Sequence, residues 1–277
     1  MPPLAVNLAV LLLLAGATAA LLRRYRLPLA PLRPLTRATL ALATAGGLLG
    51  APFWWMALPA SFAWTLPPLA FRFLAAAGLA FAVVGFCTLA RPDPARVRLL
   101  LAMIATYLTP LIAAIFLVHR DRLDWGDPLA WGFTAIAAGL AAGALLGMVR
   151  APDLRRAPAP APAERRLWSL ATALFTLWGL ALMATPQGPV PALWLWPQDA
   201  LSGRLIATML LTLGLMANFA RRRADLGRPV ALGLATYGLG VAVACLLHAA
   251  AGRPLPLAYL AVLGAAGLLA AVRARRP

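Results

Sequence analysis

Apolar residues run along this chain in long blocks, each close to the ~20 residues a helix needs to cross the bilayer core. Nine such blocks are legible: 3–22, 38–57, 69–90, 98–118, 128–149, 167–185, 203–220, 229–248 and 254–272. Charged residues collect between them. All eight acidic residues (Asp93, Asp121, Asp124, Asp127, Asp153, Glu164, Asp199 and Asp225) fall in expected loops or caps. The pattern predicts an all-α polytopic transmembrane helical bundle of about nine spans.

The blocks also repeat. Trp64, Leu69 and Arg72 recur as Trp196, Leu201 and Arg204, an interval of 132 residues. Ala90-Arg91 and Arg98 recur as Ala220-Arg221 and Arg228. Ala105-Thr106-Tyr107 returns as Ala235-Thr236-Tyr237, and Pro128-Leu129-Ala130 as Pro256-Leu257-Ala258. Self-similarity at a long fixed interval decides architecture before local features do. It divides the chain into a leading helix with its basic loop (1–37), a four-helix repeat (38–150), a Pro/Ala linker (151–166) and a second four-helix repeat with a basic tail (167–277). An even number of spans per unit keeps both units in one orientation, so the repeats are expected to be parallel. The interval shortens to 130 between Arg72 and Ala90, and the first pair of blocks, 38–57 and 167–185, aligns poorly.

Composition agrees with a membrane environment: 62% of residues are hydrophobic and 12% charged. A formal charge of +17 in a soluble protein would suggest nucleic acid. The placement of the charge argues otherwise. Arginines 23, 24, 26, 33, 37, 91, 96, 98, 150, 155, 156, 165, 166, 221, 222, 223, 228, 273, 275 and 276 all fall on one side of the expected bilayer, 20 of the 25 basic residues. The positive-inside rule makes that side cytoplasmic, with the N-terminus outside and the C-terminus inside. The clusters then serve as orientation signals and as partners for anionic lipid headgroups, with no nucleic acid involved. The all-arginine, alanine-rich composition suits a bacterial inner membrane. The first block lacks a basic region before its apolar run, so a retained helix is expected rather than a cleaved signal, although Ala-Thr-Ala-Ala at 17–20 resembles a cleavage site.

Several local features are expected to be structural. Gly139, Gly143 and Gly147 share a helix face and predict a packing seam, with Gly267 and Ala271 at matching places in the last block. Asp127 before Pro128, and Asp199, read as helix N-caps. Trp54, Trp55, Trp64, Trp125, Trp131, Trp194 and Trp196 gather on the outer side as an interfacial belt. Cys87 and Cys245 lie at different depths, which argues against a disulfide.

Three pairs of residues are candidates for chemistry. Arg72 and Arg204 occupy the first turn of outward-starting spans, where both the positive-inside bias and the helix dipole oppose a cation. That cost, present in both halves, points to an anion held by guanidinium forks or to local pairing, for which Asp199 is available to Arg204. Tyr107 and Tyr237 match near mid-membrane, followed by Pro110 and Gly240, which would loosen the helices around a central cavity. His119 and His248 fall one position apart in the repeat frame and are an alternative pair of haem ligands. No span carries a carboxylate, and no nucleotide-binding, zinc-hydrolase or nucleophile-elbow motif is found. The expectation is therefore a non-catalytic protein that binds or transports an anionic or amphipathic small molecule or lipid. A haem- or quinone-binding redox protein and a structural subunit of a membrane complex are the alternatives.

Overall fold

The computed structural model describes residues 3–150, 157–185, 193, 195 and 199–275. Its helices are α1 (Pro3–Arg24), the single turn α2 (Arg26–Leu29), α3 (Pro34–Trp55), α4 (Pro68–Ala90), α5 (Pro94–Val118), α6 (Pro128–Val149), α7 (Pro162–Ala184), α8 (Ala200–Arg222), α9 (Gly227–Ala250) and α10 (Leu257–Arg275). No strand occurs among the described residues. Seven segments are long and apolar enough to cross a membrane: the helices α4 to α8, α10, and the stretch Ala224–Ala250 that contains α9. The chain is thus a multi-pass helical membrane protein. Within lipid, helices are the form that lets each span satisfy its own backbone groups. α1 and α3, of 22 residues each, are as long as several of the seven.

Helix starts lie outside the apolar blocks because polar caps extend them. Asp93 accepts a hydrogen bond from Arg96 N at 3.0 Å ahead of Pro94, and α5 therefore begins at Pro94 rather than at 98. Asp127 accepts from Leu129 N at 2.8 Å, and Asp199 from Ser202 N at 3.3 Å, as their sequence positions predict. α7 begins at Pro162, inside the stretch read as linker, so Glu164 sits in a helical first turn and not in a loop. Residues 157–161 precede it without helix, and Pro158 O accepts a hydrogen bond from Ala224 N at 3.1 Å.

The helices pack as hairpins: α3 with α4, α5 with α6, α7 with α8, and α9 with α10. Between the hairpins, α4 packs on α9 and α5 on α8. α1 lies against α3 on the outside. Burial follows this order. The apolar windows of α4 and α8 are each 72% buried, those of α5 and α9 are 50% and 56%, and those of α6, α7 and α10 are 33%, 28% and 28%. Four inner helices thus form the core, and the outer ones turn leucines such as Leu170, Leu177 and Leu268 outward, where lipid would meet them.

Small residues set the close approaches. A Cβ on Gly238 of α9 would meet the Gly267 Cα of α10 at 2.8 Å. A Cβ on Gly179 of α7 would meet the Ala207 carbonyl of α8 at 3.0 Å, and Gly47 of α3 approaches the Gly78 carbonyl of α4 in the same manner. Thr44 of α3 fills the space beside Gly85, and Thr176 of α7 the space beside Gly214. Gly47 and Gly179, and likewise Thr44 and Thr176, are separated by the same 132 residues as the two arginines. The first pair of blocks therefore aligns through Thr-x-x-Gly, a signal too small to stand out in the sequence. On α6, Gly143 meets Thr39 and Gly147 meets Leu101, but Gly139 has open space beside it, so the seam uses two of the three expected glycines.

The tryptophans do not form a simple belt. Trp64 is buried, its ring 4.4 Å from Phe62 and 5.5 Å from Phe133, because the loop after α3 folds back over the helix ends. Trp131 is exposed and its indole N–H donates to Trp125 O at 2.8 Å. Trp194 and Trp196 lie outside the described residues. Cys87 and Cys245 are both free thiols.

Candidate functional site

The loops between α5 and α6 and between α9 and α10, with the starts of α4 and α8, share the arginine-poor end of the bundle. Two contacts locate the ends. Arg122 Nη2 lies 3.2 Å from Asp199 Oδ1 at the arginine-poor end, and Arg273 Nη2 lies 2.8 Å from Glu164 Oε1 at the other.

At the arginine-poor end, two of the sequence candidates merge. Arg204, in the first turn of α8, directs Nη1 at Nε2 of His119, the residue that terminates α5. A guanidinium only donates, so Nε2 accepts and the imidazole is neutral with its proton on Nδ1. Arg204 Nε also donates to Met183 O at 3.5 Å. The His119 pKa is lowered, by burial first and by the Arg204 charge second, with Asp121 acting against both. Asp199, the partner expected for Arg204, instead binds Arg122 and accepts from both the backbone and the hydroxyl of Ser202. Its position at the head of α8 explains the choice: a carboxylate there satisfies orphan N–H groups and the positive end of the dipole.

Arg72 occupies the equivalent place on α4, against α9, and its charge acts on His248 in the last turn of α9. Arg204 and His119, which the sequence offers in two separate pairs, are thus brought into contact, and the Arg72 charge acts on His248. The two pairs differ in their surroundings. Pro67 precedes α4 where Asp199 precedes α8, and it provides no side-chain cap. Arg72 Nε is buried with no hydrogen-bond partner among the described residues. Arg253 also acts on His248: Gly252 adopts φ +74, and the turn it makes lets Arg253 N donate to His248 O at 3.3 Å.

The mid-membrane candidates lie deeper. Tyr107 of α5 packs on Phe81 of α4 with ring centroids 5.3 Å apart. Tyr237 of α9 is fully buried, and its hydroxyl has no hydrogen-bond partner among the described residues. Tyr107, Tyr259 and Cys245 lie close enough to act on it electrostatically. Tyr259, which the sequence candidates do not include, packs with tilted rings between Phe73 at 5.4 Å and Trp178 at 4.7 Å and donates to Leu193 O at 2.9 Å. It follows the repeated Pro-Leu-Ala directly, and that repeat was the signal that could have found it. α5 runs unbroken through Pro110. Gly240 faces α4, where a Cβ would meet the Ala76 Cβ at 2.8 Å, so it occupies the α4–α9 contact.

At the arginine-rich end, a surface pocket of about 500 Å³ is lined by Arg23, Arg24, Tyr25, Arg26, Leu27, Pro28 and Ala90. The Arg24 guanidinium sits 5.6 Å from the Tyr25 ring centroid.

No protein-family model, curated protein or solved structure matches the chain. What it does must be argued from its own residues.

Proposed function

We propose that the chain is a nine-span bacterial inner-membrane protein that binds an anionic or amphipathic small molecule or lipid at its arginine-poor, outer end. The nine spans are α1, which leads, and two parallel four-helix repeats, α3–α6 and α7–α10, related by a pseudo-twofold axis along the membrane normal. The packing supports this relation. Exchanging α3–α6 for α7–α10 in order turns each hairpin into its counterpart and the α4–α9 contact into the α8–α5 contact. The arginine distribution supports a cytoplasmic arginine-rich end, whose pocket of Arg23, Arg24 and Arg26 suits an anionic headgroup.

The observation that carries the reading is Arg204, whose guanidinium meets His119 instead of a carboxylate, together with Arg72, whose Nε is buried with no hydrogen-bond partner among the described residues. Neutral imidazole leaves the cationic charge unspent, and a phosphate or carboxylate is the natural complement of the guanidinium fork. The tyrosines and the α4–α9 contact at Gly240 would form the apolar wall below the charged end. If the ligand moves, rocking of one half on the other about the α4–α9 and α5–α8 contacts is the route the fold offers.

Substituting Arg72→Ala together with Arg204→Ala tests the reading. The full chain, purified in mild detergent, is titrated with phosphatidylglycerol and followed by native mass spectrometry. The double variant should retain the lipid at least about tenfold more weakly, the equivalent of ~1.4 kcal/mol, with helical content retained. Equal retention would end the reading. A haem absorbance band lost in His119→Ala would move the case to the redox alternative.

A further inference from the structure

α1 ends in a corner. Tyr25 N still donates to Leu21 O at 3.0 Å, but the Tyr25 backbone leaves the helix at φ −105 and ψ 21, and α2 starts at Arg26. Leu29, 1% exposed, pins that short turn to the bundle. On an unbroken helix, at about 100° per residue, Arg23, Arg24 and Arg26 would spread over about half the circumference. The corner instead brings all three to one pocket of about 500 Å³, to which Ala90, the last residue of α4, also contributes. The Arg24 guanidinium lies 5.6 Å from the Tyr25 ring centroid, on the wall of the same pocket. None of the three arginines makes an ion pair among the described residues. The carboxylates that do, Asp93, Asp199, Asp225 and Glu164, hold Arg96, Arg122, Arg223 and Arg273.

We propose that this pocket binds one lipid whose headgroup carries two phosphates. The proposal rests on the headgroup pocket named above and deepens it, and it does not depend on Arg72 or Arg204. Guanidiniums gathered in one pocket repel one another until an anion joins them, and each fork can make two parallel charge-assisted bonds to a phosphate. A single phosphodiester brings one negative charge and leaves most of the arginine charge unmatched. Two linked phosphates bring two and can engage all three forks. The volume agrees: about 500 Å³ lies within the ~300–1,000 Å³ of small-molecule sites, well beyond what one phosphate group fills. The surroundings favour lipid over a soluble bisphosphate. Leu27 on the pocket wall is 78% exposed, and α1 turns Leu8, Leu11 and Leu12 outward, where acyl chains would lie.

The full chain in mild detergent is offered cardiolipin and phosphatidylglycerol at equal phosphate, and bound lipid is counted by native mass spectrometry. The wild type should retain one cardiolipin in preference to phosphatidylglycerol. Arg23→Gln with Arg24→Gln and Arg26→Gln should cut that preference by about tenfold or more. Ala90→Trp, which fills the pocket with every charge kept, should cut it too. Arg165→Gln with Arg166→Gln and Arg222→Gln removes as many exposed arginines from the same end, outside the pocket, and should leave it intact. No cardiolipin preference in the wild type, an equal loss in that control, or an undiminished preference in Ala90→Trp would overturn the proposal. A loss confined to Arg72→Ala with Arg204→Ala would move the lipid to the outer end, overturning this site while leaving the outer one standing. Inorganic pyrophosphate that raises the Tm of a chain with no cardiolipin preference would assign the pocket to a soluble bisphosphate and overturn the lipid. If the triple pocket variant fails to fold, Ala90→Trp still decides.

Discussion

A guanidinium offers five N–H donors and no acceptor, so its neighbours decide what it does. Beside a carboxylate it is neutralised. Beside an imidazole it stays charged and keeps that imidazole from protonating. The linkage at His119 has a definite sign. Above about pH 6.5 the ring is neutral in folded and unfolded chains alike, and stability is independent of pH through this group. As pH falls below that, the unfolded chain takes up the proton first, because the folded-state pKa is lowered. Stability therefore declines until the folded pKa is passed. Thermal melts in detergent between about pH 7.5 and 5 should show a shallower acid-side loss for His119→Gln than for the wild type. An equal or steeper loss in the variant would mean that the folded-state pKa of His119 is not lowered.

Between helices, backbone proximity replaces the hydrophobic drive that lipid removes. Gly238 and Gly267 let α9 and α10 touch backbone to backbone, and a methyl there has nowhere to go. Gly238→Ala should lower stability by roughly 1–3 kcal/mol, as overpacking does, seen as a reduced Tm in detergent. Gly139→Ala, with open space beside the Cβ, should change it by less than about 0.5 kcal/mol. The same reasoning separates Gly143 and Gly147 from Gly139 on α6. Three glycines at one spacing promise a seam, but α6 meets α3 and α5 over only part of its length. Gly240 follows suit: a residue that loosens a helix in principle is here a contact between α9 and α4, because α4 lies against it.

For the whole molecule, the arginine asymmetry proposes an orientation, with the arginine-rich end in the cytoplasm. In a background of Cys87→Ser and Cys245→Ala, Arg120→Cys should react with a membrane-impermeant maleimide in intact cells, whereas Ala159→Cys should react only after the membrane is opened. The reverse labelling would invert the bundle and move the Arg72 and Arg204 sites to the cytoplasm. The contact of Arg204 with His119 also follows from the whole fold, since α8 packs against α5 as α4 does against α9.

The sequence by itself determined that this is a bundle of long apolar helices, where its charges gather, and which residues recur. Those properties are local: span length follows from apolar run length, caps from Asp before Pro, and charge asymmetry from counting arginines. It also brought forward Arg72, Arg204, His119 and His248 as exceptions, because a polar residue near a span end costs energy wherever it sits. Only the tertiary structure decided which exception meets which. Arg204 and His119 are 85 residues apart, and no spacing along a single helix could pair them. The structure likewise gave Asp199 to Arg122 and buried Trp64 against Phe62 and Phe133. Partnership in a bilayer is set by which helix faces converge, and convergence is a property of small residues and crossings spread over the whole chain.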